Sequence, residues 1–161
     1  MIDQAILAAT FAAAIGCGLV AGIFYAFSSF VMGALGRLPV AQGIEAMQSI
    51  NVVVINRSFF LAFFGTAALC VALLGAAWLW WSGPAGKLLL LGSVIYLAGT
   101  IGVTMAFNVP LNNALAAAQP ATPEAATLWA HYLERWTMWN TVRTVAPAVS
   151  MALFMAALIC R

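Results

Sequence analysis

Four long apolar segments limit what this chain of 161 residues can fold into. They run from about Ile6 to Leu35, Phe59 to Trp81, Lys87 to Phe107 and Thr144 to Cys160. A helix needs about 20 apolar residues to cross a hydrocarbon core about 30 Å thick. The first segment is longer than this, so we expect tilt or a protruding end, and the fourth is short, so we expect its helix to begin earlier.

The composition supports a membrane protein, because 65% of the residues are hydrophobic and only 6% are charged. A soluble domain of this size has too little interior to hide so much apolar surface from water. The sequence therefore predicts a single integral-membrane domain over residues 1–161. We expect a multi-pass protein of the bacterial inner (plasma) membrane.

The connections between the segments differ in length and pattern. The middle connection, Trp81 to Gly86, is a short turn rich in helix breakers. Val40 to Asn56 reads as a helix, and so does Pro123 to Val142, which Thr122 precedes as N-cap. The predicted fold class is all-α, a four-transmembrane-helix bundle with short amphipathic helices in the first and third connections.

The charges are few and scattered, with a net charge of +2. So small a positive charge is not enough to bind nucleic acid, so we expect no nucleic-acid partner. The expected partner is the lipid bilayer. A homo-oligomer is compatible with the sequence. Four arginines flank the first and third connections, and by the positive-inside rule they place both termini outside: Arg37, Arg57, Arg135 and Arg143.

Familiar catalytic motifs are absent from the sequence. It has no nucleophile–base pair, metal-ligand cluster, glycine-rich phosphate loop or C-x-x-C pair, and its single histidine, His131, cannot hold haem or iron alone. The cysteines lie inside apolar segments, where thiols behave as small hydrophobes. We therefore expect neither a cofactor nor a metal, and an enzyme of this kind would need a substrate that reacts once polarised or deprotonated.

Asparagines and an arginine lie at the ends of the apolar segments, and they form the candidate site. The main members are Asn51, Asn108, Asn112, Asn140 and Arg143. Polar side chains at membrane depth are costly and mark function by default. An arginine among apolar neighbours needs a partner, so Arg143 predicts binding of an anion or oxyanion. The alternative is that it flanks the fourth span under the positive-inside rule.

Helical geometry places part of this group on one wall. At about 100° per residue, one face carries Trp129, Trp136, Asn140 and Arg143. His131 points away from that face. The two tryptophans are equally typical of an interfacial aromatic belt.

Two further patterns lie in the first and third spans. Gly18 and Gly22 have the spacing that is typical of close helix packing. Tyr25 and Ser29 follow on the same side of the helix, where their hydroxyls could line a cavity beyond the packed glycines. The third span carries a polar ribbon of Tyr96, Thr100, Thr104 and Asn108, which is more often interhelical hydrogen bonding than ligand contact. We expect this span to end near Phe107, because Pro110 cannot continue the hydrogen-bond ladder.

Four strings together resemble the anthrone oxygenase family of small four-span membrane proteins. They are GLVAGIFYAFS at 18–28, AMQSIN at 46–51, NVPLNN at 108–113 and WTMWNTVRT at 136–144. The resemblance implies oxidation of an anthrone methylene to a carbonyl by molecular oxygen, without metal or flavin.

The resemblance also implies roles for the candidate residues. Indoles would stack on a small hydrophobic aromatic ligand, while amides and a guanidinium stabilise its enolate oxygen. The predicted catalytic residues are Arg143, Asn140, Asn108 and Asn51. The predicted substrate-binding residues are Trp136, Trp129, Tyr25, Thr104 and Asn112. The general base is open among Tyr25, Glu45, His131 and a bound water.

Two other functions fit the same residues. One is a non-catalytic membrane binder or carrier of small hydrophobic molecules, although every Asp and Glu lies outside the four spans, which counts against proton-coupled transport. The other is a structural membrane subunit whose amides lock the bundle against a partner.

Overall fold

The computed structural model describes residues 2–80 and 83–160 as five helices with no strand between them. The helices are α1 (Ile2–Leu35), α2 (Val40–Val53), α3 (Arg57–Leu79), α4 (Pro84–Ala116) and α5 (Pro123–Ile159). All except α2 are long and apolar enough to cross a membrane. The all-α fold class is confirmed, and the chain is a multi-pass membrane protein. The predicted end of the second span at Trp81, with Ser82 after it, lies outside the described residues.

The side chains of two residues, Asn56 and Thr122, cap three helix ends. Asn56 accepts a hydrogen bond from the Phe59 N–H at 3.0 Å, which starts α3, and its Nδ2 donates to the Val53 carbonyl at 3.0 Å, which ends α2. Thr122 accepts from the Ala125 N–H at 3.2 Å, so its prediction as the N-cap of α5 is confirmed.

The helix predicted in the third connection is not a separate element. Pro123 to Val142 is the first part of the 37-residue helix α5, which continues through Pro147 to the end of the fourth span. Only Arg143 lies between Val142, the predicted end of this helix, and Thr144, the predicted start of the fourth span. There is no glycine or proline between them, so nothing in the sequence ends the helix there. The expectation that the fourth helix begins before Thr144 is confirmed, while α2 is the one short connecting helix in the described part of the chain.

The predicted end of the third span near Phe107 is wrong. α4 runs on to Ala116, with Val109 helical, at φ −61° and ψ −46°. Two π-helical stretches, Leu97–Gly102 and Thr104–Asn108, precede Pro110 and change the register of the backbone hydrogen bonds. Pro110 therefore falls in the first turn of a new α-helical stretch, where its missing N–H costs little.

Two apolar clusters hold the bundle together. One joins α1, α3, α4 and α5 through buried side chains such as Val20, Phe63, Leu89 and Phe154. The other seats α2 against α4 and α5, and includes Ile44, Met47, Leu115, Trp129 and Tyr132. Gln48 fastens α2 further, because its Nε2 donates to the Leu115 and Ala118 carbonyls at 2.8 and 3.1 Å at the end of α4. This places α2 over the end of the bundle.

Close helix packing uses glycines other than Gly22. A Cβ added to Gly22 would meet no atom within 4 Å, whereas one added to Gly18 would lie 3.0 Å from the Met151 sulfur. Among the glycines of α4, Gly99 lies closest to α5, because an added Cβ would lie 2.5 Å from the Cβ of Ala146. The prediction of a packing role is therefore wrong for Gly22.

We predict that Gly99→Ala destabilises the protein, because the new methyl group forces α4 away from Ala146. Such overpacking costs about 1–3 kcal/mol of unfolding free energy. Gly22→Ala is the matched control: it adds the same methyl group in open space and improves helix propensity by up to about 1 kcal/mol. Thermal unfolding in detergent measures both, and equal midpoints for the two variants would contradict the packing described here.

Candidate functional site

A cavity of about 240 Å³ lies where the two apolar clusters meet. All five helices contribute to its wall, which is mainly aromatic and aliphatic. The lining residues are Ile23, Phe24, Phe27, Met47, Ile50, Asn51, Val54, Ile55, Phe59, Phe60, Phe63, Phe64, Thr104, Met105, Val109, Asn112, Trp136 and Arg143. Four polar side chains therefore interrupt an otherwise apolar surface: Asn51, Thr104, Asn112 and Arg143.

Among the described residues, Arg143 is the one charged side chain of this wall, and it is only 4% exposed. Its Nη2 donates to Asn140 Oδ1 at 2.8 Å and its Nη1 to Thr104 Oγ1 at 3.3 Å. The guanidinium carbon lies 4.4 Å from the ring centroid of Phe24 and 5.0 Å from that of Trp136. Aromatic faces attract a cation, so these rings and two neutral oxygens hold the charge in place.

No carboxylate of residues 2–80 and 83–160 neutralises this arginine. All four acidic residues of the chain are exposed, and none lines the cavity: Asp3, Glu45, Glu124 and Glu134. The cavity wall therefore carries a positive charge that can attract an anionic group of a ligand.

Asn140 connects Arg143 to the first helix. Its Nδ2 donates to the Phe24 carbonyl and to Ser28 Oγ, both at 2.7 Å, while its Oδ1 accepts from the guanidinium. The π-helical stretch Phe27–Val31 begins three residues after Phe24, where the backbone hydrogen bonds of α1 change register. Asn140 is fully buried, so it orients Arg143 without lining the cavity.

Asn112 connects α4 to α5 through hydrogen bonds of its side chain. Its Oδ1 accepts from the Tyr132 hydroxyl at 2.8 Å and from Trp136 Nε1 at 2.7 Å. Tyr132 is fully buried, and it is not among the site residues predicted from the sequence. Its spacing of three from Trp129 and four from Trp136 is the signal that could have found it, because such residues share a helix face.

Some buried polar atoms have no partner among the described residues. Arg143 Nε is one of them, on a side chain that lines the cavity, and Asn51 Nδ2 is another, which makes no close hydrogen bond although the Tyr132 hydroxyl lies near it. Asn108 Oδ1 is a third, although Asn108 is fully buried beside the cavity, with its Nδ2 donating to the Trp136 carbonyl at 3.2 Å. Buried polar groups are rarely left unpaired, so these atoms point to a bound ligand or water.

The structure brings together five of the nine predicted site residues at the cavity wall: Arg143, Asn51, Asn112, Thr104 and Trp136. Two more, Asn140 and Asn108, support the wall from behind. Trp129 does not reach it, because its ring stacks on Tyr132 at 5.6 Å and packs against Gly43. Its prediction as a ligand-stacking indole therefore has no support in the geometry.

Tyr25 is also outside the cavity, because it lies on the outer face of α1 and is 63% exposed. The inward face of α1 carries Phe24 instead, and one residue along a helix is a rotation of about 100°. The other side chains considered as a general base, Glu45 and His131, are exposed as well. The outward position predicted for His131 is confirmed.

The cavity opens on the outer surface of the bundle. Four of its lining residues are exposed: Ile55, in the connection before α3, by 64%, Phe60 by 43%, Phe64 by 48% and Met105 by 59%. Phe60 and Phe64 lie on α3 and Met105 on α4, so the opening faces sideways between two membrane-spanning helices. An apolar molecule dissolved in the bilayer would meet this opening directly.

The family described as anthrone oxygenase matches residues 59–153. This segment is more than half of the chain, and it contains Thr104, Asn112, Trp136 and Arg143, while Asn51 precedes it. Membership of this family is thereby confirmed, and two of the four strings that carried the resemblance, at 108–113 and 136–144, lie inside the matched segment. No curated protein and no solved structure matches the chain.

We predict that Asn140→Ala destabilises the protein by about 1–3 kcal/mol or more, because it leaves the Phe24 carbonyl and the buried Arg143 without a partner. Asn113→Ala is the matched control, since Asn113 is exposed. Chemical or thermal unfolding in detergent compares the two variants. An Asn140→Ala protein as stable as Asn113→Ala would contradict the bridging role of Asn140.

Proposed function

Because the chain belongs to the anthrone oxygenase family, we propose that it oxidises a small apolar aromatic ketone of the anthrone type with molecular oxygen. One observation carries this proposal: Arg143 brings a positive charge to the wall of an aromatic cavity, and no carboxylate there balances it. Such a wall favours a flat, apolar ligand that acquires negative charge at one oxygen atom.

The shape of the cavity supports a small ligand. Its volume of about 240 Å³ is just below the ~300–1,000 Å³ that is typical of sites for drug-sized molecules. Six phenylalanines and Trp136 line it, so fused aromatic rings can pack against ring faces and edges. The sideways opening lets such a ligand, and oxygen dissolved in lipid, enter from the bilayer.

The charge on Arg143 supports the chemical step. Removing a proton from the methylene group of an anthrone places negative charge on the ketone oxygen, which thereby becomes an enolate. A guanidinium already fixed by Asn140 and Thr104 needs little rearrangement to stabilise this charge, and preorganised donors of this kind contribute strongly to catalysis. Asn51 Nδ2, which makes no close hydrogen bond to the described residues, can donate a further one.

The overall reaction balances with oxygen as the only oxidant. The carbanion form of the enolate passes electrons to O₂, and a carbon–oxygen bond forms at the former methylene carbon. Loss of the second hydrogen of that carbon, together with cleavage of the O–O bond, leaves a carbonyl group and one molecule of water. The substrate loses two hydrogens and gains one oxygen atom, and the second oxygen atom leaves as water.

The first proton goes to water in this proposal. No carboxylate or imidazole side chain lines the cavity, and the three side chains considered as a base are all exposed. A nearby positive charge lowers the pKa of an acidic ligand, so Arg143 makes the methylene proton easier to remove. The protein then acts mainly through binding and electrostatic stabilisation.

A non-catalytic binder of small hydrophobic molecules is the second candidate. The absence of an acid–base side chain from the cavity wall favours it. The two functions differ in one measurable respect, because a binder retains the methylene group of its ligand, whereas the oxygenase converts that group to a carbonyl.

We predict that Arg143→Met abolishes oxidation of anthrone, with a loss of about 100- to 1,000-fold in kcat, because the enolate loses its main charge partner. Arg135→Met, on the exposed face of the same helix, keeps wild-type activity. Oxygen consumption and anthraquinone formation above the uncatalysed background measure both variants in lipid nanodiscs. An Arg143→Met protein that folds and turns over normally would remove Arg143 from the mechanism.

We also predict that Ile50→Trp blocks the cavity and lowers ligand binding and turnover at least tenfold while the fold is kept. The larger ring fills space that the ligand needs. Val52→Trp is the matched control, because Val52 lies two residues away on α2 and is 72% exposed. The measurement is the affinity of each variant for anthrone. Equal affinities would place the ligand outside this cavity.

A further inference from the structure

Tyr132 has no part in the function proposed above, yet it is fully buried and bonded to a side chain of the cavity wall. We infer that Tyr132 is a positioning residue: together with Trp136 it fixes the amide of Asn112 so that its N–H groups face the ligand. Asn112 then gives the anionic oxygen of the ligand a donor in addition to Arg143. This inference rests on the proposed function, because it assigns a specificity determinant to the same cavity.

The hydrogen bonds to Asn112 determine which way its amide points. A carbonyl oxygen has two lone pairs, and both are used, by the Tyr132 hydroxyl at 2.8 Å and by Trp136 Nε1 at 2.7 Å. The indole nitrogen of Trp136 can only donate. A flipped amide would set an N–H group against this donor, so the observed orientation is the one that satisfies both.

The nitrogen of the amide is consequently available to a ligand. Asn112 Nδ2 forms a hydrogen bond with none of the residues 2–80 and 83–160, and Asn112 is half-buried at the cavity wall. An amide nitrogen offers two N–H donors and no acceptor. Asn112 therefore favours a ligand that presents an oxygen, and above all one that carries negative charge.

Trp136 couples this donor to the guanidinium. Its indole N–H bonds to Asn112, while its ring lies 5.0 Å from the guanidinium carbon of Arg143. The Asn112 amide and the Arg143 guanidinium thus both contact the Trp136 side chain. A flat ligand packed against Trp136 would meet both at its oxygen, whereas a hydrocarbon of the same shape would gain nothing from either.

The test compares anthrone with anthracene, which has three fused rings and no oxygen. Binding of each probe to the full-length protein in nanodiscs is measured without oxygen, by quenching of tryptophan fluorescence. Tyr132→Phe removes one of the two hydrogen bonds that hold the amide and leaves Trp136 as its single donor. The amide is then held less firmly, so we expect anthrone to bind about tenfold more weakly while anthracene binds as to the wild type. Tyr96→Phe is the matched control, because it removes another buried tyrosine hydroxyl, which donates to the Phe63 carbonyl at 2.9 Å.

A second variant covers the case in which Tyr132→Phe does not fold. Asn112→Asp keeps an oxygen for Tyr132 and Trp136 but replaces the N–H donors with a negatively charged acceptor. We expect it to fold and to lose anthrone binding by more than tenfold, again without an effect on anthracene. In an Asn112→Ala background, Tyr132→Phe should have no further effect on anthrone binding, because its action passes through Asn112.

The outcomes separate the two proposals. If the wild type binds anthrone and both Tyr132→Phe and Asn112→Asp bind it equally well, the role of Tyr132 and Asn112 is wrong and the proposed function stands. Equal weakening of anthrone and anthracene would also overturn the inference, because it would reveal a structural role alone. A wild type that binds no anthrone overturns both.

Discussion

The structure depends on holding one guanidinium inside an apolar bundle without a carboxylate. Arg143 is stabilised by Asn140 and Thr104 oxygens and by the faces of Phe24 and Trp136. A salt bridge would hold the charge more simply, but it would also cancel the field that the arginine projects into the cavity. Neutral partners keep the arginine in place and leave its charge available, which is the arrangement that oxyanion stabilisation requires.

The irregular stretches of the helices lie where this arrangement needs them. The π-helical stretches Phe27–Val31 and Thr104–Asn108 flank Arg143 on α1 and α4, and one of them carries Thr104 itself. A π turn changes the register of a helix without ending it, and such turns are frequent at functional sites. α4 can therefore pass Pro110 and continue to Asn112, so that two polar side chains of the same helix reach the cavity.

The sequence predicted the fold well and the site in part. Span length and hydropathy are local properties, so they identified the four long helices, and a helical wheel placed Trp136, Asn140 and Arg143 on one face of α5. A helical wheel does not show which side of α1 packs against that face of α5. Tyr25 was therefore predicted to face the cavity, although it is exposed. Tyr132 was missed because its role depends on a partner 20 residues away, on another helix.

The distribution of charge also bears on the choice between an enzyme and a binder. A carrier of neutral hydrophobic molecules gains nothing from a buried arginine, which is costly to keep at membrane depth and here lacks a partner for Nε among the described residues. An oxygenase of acidic ketones uses that charge twice, first to favour loss of the proton and then to hold the enolate while oxygen approaches. A ligand that becomes negative inside the cavity, as proposed above, would offset the cost of burying Arg143, which favours the oxygenase over the binder.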